Sequence, residues 1–354
     1  MSLADDITYK ALELGFDLAG ITDAAPIDTE QVEFLTAWLK SGFAGQMDYM
    51  HRNFEKRINP AKLLENAQSV IVVGLNYKPP KRAPSIAALQ SQAEESTGKR
   101  FHSSLRVRHR RTRQSRLTHA TVPTGKVASY AQYEDYHGFM KKQLRELVGF
   151  IGSIAGTGCE FRICVDSAPL AERALAARAG LGFIGKNHML ISPRLGPEIF
   201  LAEIVTTLKL QLDKPLGTEC SNCSKCIDAC PTGALRPDGQ FDANKCISYL
   251  TIEYKGQIRR DLTGTIGNCL FGCDECVLVC PYQQNAPPCK NTEFKFYNDR
   301  ARLDLNWILN MTHEDFGAEF ADSAIKRLGL GRLRRNAQIC LANITVTPHD
   351  SSTE

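Results

Sequence analysis

The feature that most constrains this chain is the spacing of its cysteines. One group runs from Cys220 to Pro231 as C-x2-C-x2-C-x3-C-P, and a second, from Cys273 to Pro281, has the ending C-x2-C-x3-C-P. Bacterial-type iron–sulfur proteins bind [4Fe–4S] clusters with this spacing, and their fourth cysteine ligates the neighbouring cluster. Zinc is the alternative, because four cysteines also bind a tetrahedral ion. Two such endings so close together favour two iron–sulfur clusters.

The second cysteine group lacks one ligand, which either Cys246 or Cys269 could supply. If the fourth cysteine of each group crosses to the other cluster, the simplest closure gives two sets of four. We therefore predict one cluster on Cys220, Cys223, Cys226 and Cys280, and another on Cys230, Cys246, Cys273 and Cys276. Of the other five cysteines, four outside these groups are predicted to be ordinary free thiols: Cys159, Cys164, Cys289 and Cys340.

Length and charge limit the class of protein. The 354 residues suffice for two or three domains, and no apolar run is long enough to span a membrane. Residues 1–6 lack the features of a secretory or twin-arginine signal, so we expect a cytoplasmic location. The net charge is only +4, yet Lys99–Arg116 contains eight basic residues and no acidic one. Such a run is usually a solvated segment; the alternative is an arm that binds nucleic-acid phosphates.

Hydrophobic periodicity predicts the fold class. Helical patterns alternate with strand-like runs, which indicates an α/β domain over 1–212, interrupted by a basic insertion over 81–125. A two-cluster ferredoxin-like domain is expected over 213–290 and a small helical region over 291–354. The predicted helices cover 5–16, 31–40, 138–154 and 169–180, and the predicted strands cover 16–21, 69–75, 161–165 and 199–207.

Two short segments outside the cysteine groups are candidates for chemistry. Asp166 follows a predicted strand and precedes a predicted helix, a position typical of a helix N-cap. Gly180–Asn187 reads G-x4-G-K-N, one residue from a phosphate-binding loop. It lacks the serine or threonine that binds magnesium, so nucleotide binding is not expected. Its glycines suggest instead a close approach of the backbone to a flat cofactor.

The order of several motifs resembles the epoxyqueuosine reductase family, cobalamin-dependent enzymes of tRNA queuosine synthesis. Two features depart from the family pattern: the basic segment 81–125 is longer than the usual connector, and Tyr133-Glu134 replaces the usual Gly-x. Cys269 lies where the family usually has a basic residue, so it is not assigned as a ligand. The motifs that carry the resemblance are Lys56-Arg57, Asp135-Tyr136-His137, Asp166 to Arg173, Gly180 to Asn187, Cys246 to Gly256 and Arg334 to Ala337.

The resemblance implies an activity: reduction of epoxyqueuosine to queuosine at the wobble position of a tRNA with a GUN anticodon. Electrons from an external low-potential donor, such as a flavodoxin or ferredoxin system, would pass through the two clusters to cobalamin. The family fold implies a base-off cobalamin domain at the N-terminal end and a HEAT-like region at the C-terminal end. Membership also implies a monomer that does not associate with membranes.

The resemblance also implies residue roles. Asp166 would donate a proton, which requires burial to raise its pKa against the opposing effect of a helix N-terminus. Contacts to tRNA would come from Lys255, Arg334 and Arg335. Contacts to cobalamin would come from Arg57, His137, Lys186, Asn187, Leu190, Leu201 and Ser248.

Two other classes of protein stay open on the residues alone. A ferredoxin-type electron carrier would explain the cysteine groups, but it leaves residues 1–212 without a role. A reductive dehalogenase-like cobalamin enzyme acting on a small molecule would use the same cofactors. The absence of a twin-arginine signal and the basic clusters argue against that second alternative.

Overall fold

The structure is a computed structural model that describes residues 2–80 and 122–345. The basic run Lys99–Arg116 lies outside the described residues, so both interpretations of it stay predictions. In the described ranges, no helix is both long and apolar enough to cross a membrane.

Strands and helices alternate along much of the described chain. The strands are β1 (Leu18–Asp23), β2 (Ser69–Asn76), β3 (Thr124–Val127), β4 (Phe161–Cys164), β5 (Phe183–Ile184), β6 (Leu190–Ile191), β7 (Ile199–Thr206), β8 (Cys269–Phe271) and β9 (Arg302–Asp304). The α-helices are Leu3–Glu13, Thr29–Lys40, Asp48–His51, Phe54–Ile58, Tyr136–Ala155, Glu172–Arg178, Lys225–Asp228, Ile247–Ile252, Arg260–Thr263, Glu275–Leu278, Pro281–Gln284, Leu305–Asn310, His313–Glu319 and Leu330–Thr345.

The largest sheet has four strands in the order β1-β2-β7-β4, and all of its pairings are antiparallel. β2 and β7 are buried along their whole length, which suits their runs of β-branched and aliphatic residues. Their predicted ends agree with the structure to within one residue. The alternation of helices and strands was correctly predicted, but that pattern does not specify strand direction.

Helices cover both faces of this sheet. On one face, Ile71, Val73 and Ile204 pack with residues of the helices Leu3–Glu13 and Tyr136–Ala155. On the other face, Val70, Val72 and Val205 pack with Leu175 and Ala176 of the helix Glu172–Arg178. Since the sheet is buried on both sides, β4 and β7 offer a rigid support for the loops that leave their ends.

A second sheet joins distant parts of the chain. Its order is β8-β3-β9, with β3 parallel to β8 and antiparallel to β9. The three strands come from the three regions expected to be separate domains, so this sheet crosses the expected limits at 212 and 290. The C-terminal helices pack against it through Leu305, Leu333 and Ala337. The domain limits stay predictions.

Tyr133-Glu134, a departure from the family pattern, fills a structural position. The Tyr133 ring is buried and stacks on Phe294 with centroids 4.7 Å apart. The Glu134 carboxylate accepts the backbone N–H of Lys295 at 2.9 Å, and the Glu134 N–H donates to the Lys295 carbonyl, also at 2.9 Å. The two residues therefore fix the segment that follows the cysteine region.

Candidate active site

The structure brings together the first predicted cluster set. A small cavity is lined by all four of its cysteines, together with Lys186, Asn187 and Tyr282. Lys186 Nζ donates to the carbonyl oxygens of Ser221 at 2.8 Å and Cys223 at 3.0 Å. Lys186 was predicted to contact cobalamin, but its ammonium group is engaged by the loop between the first two cysteines. The cysteines that line the cavity are Cys220, Cys223, Cys226 and Cys280.

The second predicted set also lies in one group. Burial, and then the neighbouring Cys246, Cys273 and Cys230, raise the pKa of the Cys276 thiol. Cys269 is hydrogen-bonded to Cys273 through their side chains, so it neighbours a predicted ligand. Both groups of four therefore have the thiol-only donor set that iron–sulfur clusters require.

A second cavity, of about 690 Å³, lies at the end of β4 and has mainly aromatic and aliphatic walls. Asp166 lines it in a left-handed conformation with φ +54. Its backbone N–H donates to Glu172 Oε1 at 2.7 Å, and the following helix starts only at Glu172. The N-cap interpretation of Asp166 is therefore wrong. The residues that line this pocket are Tyr77, Tyr130, Tyr136, Asp166, Glu172, Arg173, Met189, Leu190, Ile199, Phe200 and Leu201.

His137 connects two carboxylates at the rim of this pocket. Its Nε2 lies 3.0 Å from Asp166 Oδ2, and its Nδ1 lies 2.6 Å from Asp135 Oδ1. Asp135 is also the N-cap of the helix Tyr136–Ala155 and accepts the N–H of His137, which fixes the ring beside its partner. Arg327 Nη1 lies 3.6 Å from Asp166 Oδ2.

These contacts determine the protonation states of His137 and Asp166. Burial alone would lower the pKa of His137, but the hydrogen bonds to Asp135 and Asp166 raise it to about 9. Burial alone would raise the pKa of Asp166, but His137, Arg327 and Tyr136 lower it below its usual value. Burial acts in the expected direction but is outweighed, so the net shift is opposite to the rise in pKa that a proton donor requires. At neutral pH the proton resides on His137, and Asp166 is its carboxylate partner.

Other predicted cobalamin contacts are spread around the two cavities. Leu190 and Leu201 line the pocket beside Asp166. Arg57 donates to the Leu170 carbonyl at 3.4 Å, and its buried Nε has no partner. Asn187 is buried and donates to the Cys276 carbonyl at 3.2 Å, which ties the hairpin of β5 and β6 to the second cysteine group. Ser248 lies at the start of the helix that follows Cys246.

Two glycines of the 180–187 segment face the chain's own strand. A Cβ at Gly182 would lie 2.4 Å from the Ile191 carbonyl oxygen, and one at Gly185 would lie 2.3 Å from Ile191 Cδ1. At these two positions the close approach is to β6, across the hairpin, and an approach of the segment to a flat cofactor stays a prediction.

The side chains predicted to bind tRNA differ in whether they already have hydrogen-bond partners within the protein. Lys255 is exposed and its backbone N–H donates to Gln46 Oε1, while its side chain has no hydrogen-bond partner in the part of the chain that the structure describes. The Arg335 guanidinium donates to the carbonyl oxygens of Tyr254, Gly256 and Leu250. Arg334 donates to the Met311 carbonyl. A tRNA role for the two arginines stays a prediction, and it competes with these structural contacts.

Sequence reasoning assigned no role in this pocket to Asp135, Glu172 or Arg327, all of which lie at or beside it. The first two stand in motifs that were recognised, and the carboxyl groups within those motifs were the available signal. Arg327 is one of five basic residues within 326–335, a stretch that helical periodicity alone would assign to an exposed helix face. No local pattern connects it with Asp166, which lies far away in the sequence.

Comparisons with known proteins cover nearly the whole chain. The family described as epoxyqueuosine reductase QueG, DUF1730 matches residues 57–167, and the 4Fe-4S double cluster binding domain matches residues 219–283. An epoxyqueuosine reductase of Leadbetterella byssophila is 37% identical over 94% of this chain and 96% of its own. One of Vibrio cholerae is 34% identical over 98% of this chain and 85% of its own.

Solved structures agree with these relatives. The epoxyqueuosine reductase from Streptococcus thermophilus superposes with a TM-score of 0.78 at 28% identity, covering 97% of this chain and 81% of that one. A crystal structure of epoxyqueuosine reductase with an epoxyqueuosine-modified tRNA-Tyr stem loop superposes with a TM-score of 0.80 at 28% identity, covering 98% and 82%.

Proposed function

This chain belongs to the epoxyqueuosine reductase family, and from that membership we propose that it reduces epoxyqueuosine to queuosine in tRNA. The similarity extends over residues 57–167, outside the cysteine region, which a ferredoxin-type carrier would not require. A relative that was crystallised with an epoxyqueuosine-modified tRNA stem loop supports a tRNA substrate. The wobble position and a GUN anticodon are part of the proposal.

The observation that carries this proposal is the position of the Asp166–His137 pair. The pair lies at the edge of a pocket with aromatic walls. Leu190 lines the same pocket and belongs to the hairpin of β5 and β6, and Asn187 connects this hairpin to the second cysteine group through its hydrogen bond to Cys276. A reductase needs a proton source and a redox centre in contact with one substrate site, and these contacts can provide both.

The donor sets fit the redox groups that the family implies. Two groups of four thiols are suited to two [4Fe–4S] clusters. The pocket walls formed by Tyr77, Tyr130 and Phe200 suit the flat face of a corrin. Base-off cobalamin is part of the proposal. When bound, the clusters and cobalamin would supply the electron transfer, and the protein would supply position and protons.

The residues at the rim hold and move a proton. His137 carries it at rest, because Asp135 and Asp166 stabilise the imidazolium form. In the reaction, Asp166 passes this proton to the oxygen or carbon of the substrate where the C–O bond is lost, and His137 restores it. Asp166 is thus the proposed catalytic residue, and His137 is the group that keeps it supplied.

The substrate base has to leave the anticodon stack to enter this pocket, as in other enzymes that act on a nucleobase. Lys255 is the predicted phosphate contact with an exposed side chain. The remaining proposals are a HEAT-like character for the C-terminal helices, a cytoplasmic location, a monomeric state and an external low-potential electron donor of the flavodoxin or ferredoxin class.

The test uses anaerobically purified protein reconstituted with iron, sulfide and cobalamin. With a low-potential reductant and epoxyqueuosine-containing tRNA, we expect queuosine in the nucleoside digest by mass spectrometry. The matched control omits cobalamin and retains the clusters. Equal product with and without cobalamin, or no product when all groups are bound, would contradict the proposal.

A further inference from the structure

Two carboxyl groups line the pocket, and their surroundings separate their proton affinities. Asp166 is held as a carboxylate by His137 and Arg327. Glu172 begins the helix Glu172–Arg178, and its Oε1 accepts the Asp166 N–H at 2.7 Å. Adjacent carboxyl groups whose surroundings favour opposite charge states are the usual arrangement for separate acid and base roles.

The sheet behind Glu172 carries a further acid. Glu203 on β7 is fully buried and pairs in register with Cys164 of β4, and neither of its carboxyl oxygens has a hydrogen-bond partner among the described residues. A carboxyl group in such a place is stable only in its neutral form. Glu172 therefore lies between a carboxylate, Asp166, and a neutral acid, Glu203.

The charged groups that act on Glu172 come from several elements. Burial and the charge of Asp166 raise the pKa of Glu172 to about 7, while the Asp166 N–H, Arg173 and Arg57 act in the opposite direction. A substantial fraction of Glu172 is thus protonated at neutral pH. The titratable and charged groups around it are Asp166 after β4, Arg173 on its own helix, Arg57 on the helix Phe54–Ile58, Glu203 on β7 and Tyr136 on the helix Tyr136–Ala155.

We propose that Glu172 is a second proton donor, supplying one of the two protons that conversion of the epoxide to an alkene consumes. This inference rests on the proposed function. Loss of the epoxide oxygen breaks two C–O bonds and forms one C=C bond. With two electrons from an external low-potential one-electron carrier and two protons, the oxygen leaves as water.

The two protons have two separate sources in this pocket. The His137–Asp166 pair supplies one, and the carboxyl group of Glu172 supplies the other. Each source holds one proton, so a single turnover needs no reloading from solvent while the substrate fills the pocket. Both sources recover their protons from water after the product leaves.

The test separates the proton of Glu172 from its hydrogen bond to Asp166. Glu172→Gln keeps an oxygen that accepts the Asp166 N–H but has no proton to donate, and Glu172→Ala removes both. The matched control is Glu160→Gln, an exposed residue just before β4. Iron content and thermal midpoint are measured first, so that a folding defect is recognised. We expect Glu172→Gln to lower queuosine formation by about 10²-fold, the ordinary contribution of a general acid.

A second measurement does not depend on turnover. Buried Glu198 and Glu203 also have raised pKa values, so the readout is the infrared difference between wild type and Glu172→Gln. Recorded across neutral pH, this difference should contain a protonated-carboxyl component that titrates and that Glu172 alone contributes. Identical spectra of the two proteins would overturn the proposal. Activity of Glu172→Gln within about twofold of wild type, with Glu172→Ala inactive, would also overturn it and leave Glu172 as a positioning residue.

Failure of the proposed function gives a different result. In that case the wild type itself forms no queuosine with all redox groups bound, and a missing titrating band would count against the proton on Glu172 independently. A wild type that forms queuosine alongside a fully active Glu172→Gln removes only Glu172 from the reaction.

Discussion

The cysteine region and the Asp166 pocket differ in how their residues come together. Seven of the eight predicted cluster ligands lie in two short segments, Cys220–Cys230 and Cys273–Cys280, where spacing alone groups them. The pocket is assembled from residues as distant as Tyr77 and Leu201, with Arg327 beside it. Local sequence therefore specifies the redox centres, whereas the tertiary fold creates the proton-handling site.

The most severe test of this comparison removes one predicted ligand. Cys223→Ala should lose about half of the bound iron and all measurable turnover, because a cluster missing one of four thiolates is poorly held. The measurements are iron and sulfide content and queuosine formation. Cys159→Ala is the control, since Cys159 is predicted to be an ordinary thiol and lies away from both groups. Full iron content in Cys223→Ala, or its loss in Cys159→Ala, would contradict the assignment.

The sequence predicted the helices and strands around the pocket better than it predicted the pocket's charges. Periodicity located β2 and β7 to within a residue, because both are continuous apolar runs. The charge state of Asp166 could not be predicted in this way. It depends on Asp135 fixing His137 at a helix start, and on Arg327 arriving from the other end of the chain.

The next test removes the charge that holds the proton on His137. Asp166→Asn keeps the size of the side chain but not its carboxylate, and we expect a loss of about 10²- to 10⁴-fold in turnover with iron content unchanged. Single-turnover formation of queuosine is the measurement. Asp238→Asn, in an exposed turn, is the matched control. Undiminished turnover in Asp166→Asn would remove Asp166 from the reaction.

The pH dependence of turnover tests the same His137–Asp166 pair. His137 keeps its proton up to about pH 9 in the wild type, so turnover should fall as pH rises through that value, in addition to the earlier fall near pH 7 expected from Glu172. Asp166→Asn should move the fall due to His137 to lower pH, because one of the two acceptors that raise the pKa of His137 is gone. A pH profile that is the same in both proteins would mean that the pair does not supply the proton.

A smaller effect, on the pH dependence of folding stability, is expected at Glu203 behind the pocket. Its pKa in the folded protein is raised well above the usual value because the side chain is fully buried. The unfolded chain releases this proton near pH 4.3, so above that pH the folded state loses about 1.4 kcal/mol of stability per unit until its own pKa is reached. Glu203→Gln should abolish this slope.

Chemical denaturation at several pH values measures the effect. Glu203→Gln should gain stability relative to the wild type as pH rises from about 5 towards neutrality. Glu160→Gln, whose carboxyl group is exposed, should follow the wild type. A constant difference between Glu203→Gln and the wild type at all pH values would mean that Glu203 is ionised in the folded protein.

The smallest expected effect distinguishes Lys255, whose charge is free to contact tRNA, from Arg335, whose charge stabilises the folded protein. Lys255→Ala should weaken tRNA binding a few-fold and reduce the slope of log affinity against log salt by about 0.7, the loss of one phosphate contact, without changing stability. Arg335→Ala should instead destabilise the protein by about 1–3 kcal/mol, because three carbonyl groups lose their donor. Salt-dependent binding and denaturation of both variants separate the two effects.

An unchanged salt slope in Lys255→Ala, or a changed slope with normal stability in Arg335→Ala, would reverse these assignments. In that event the partners a side chain has in the free protein would be a poor guide to which charges meet the nucleic acid.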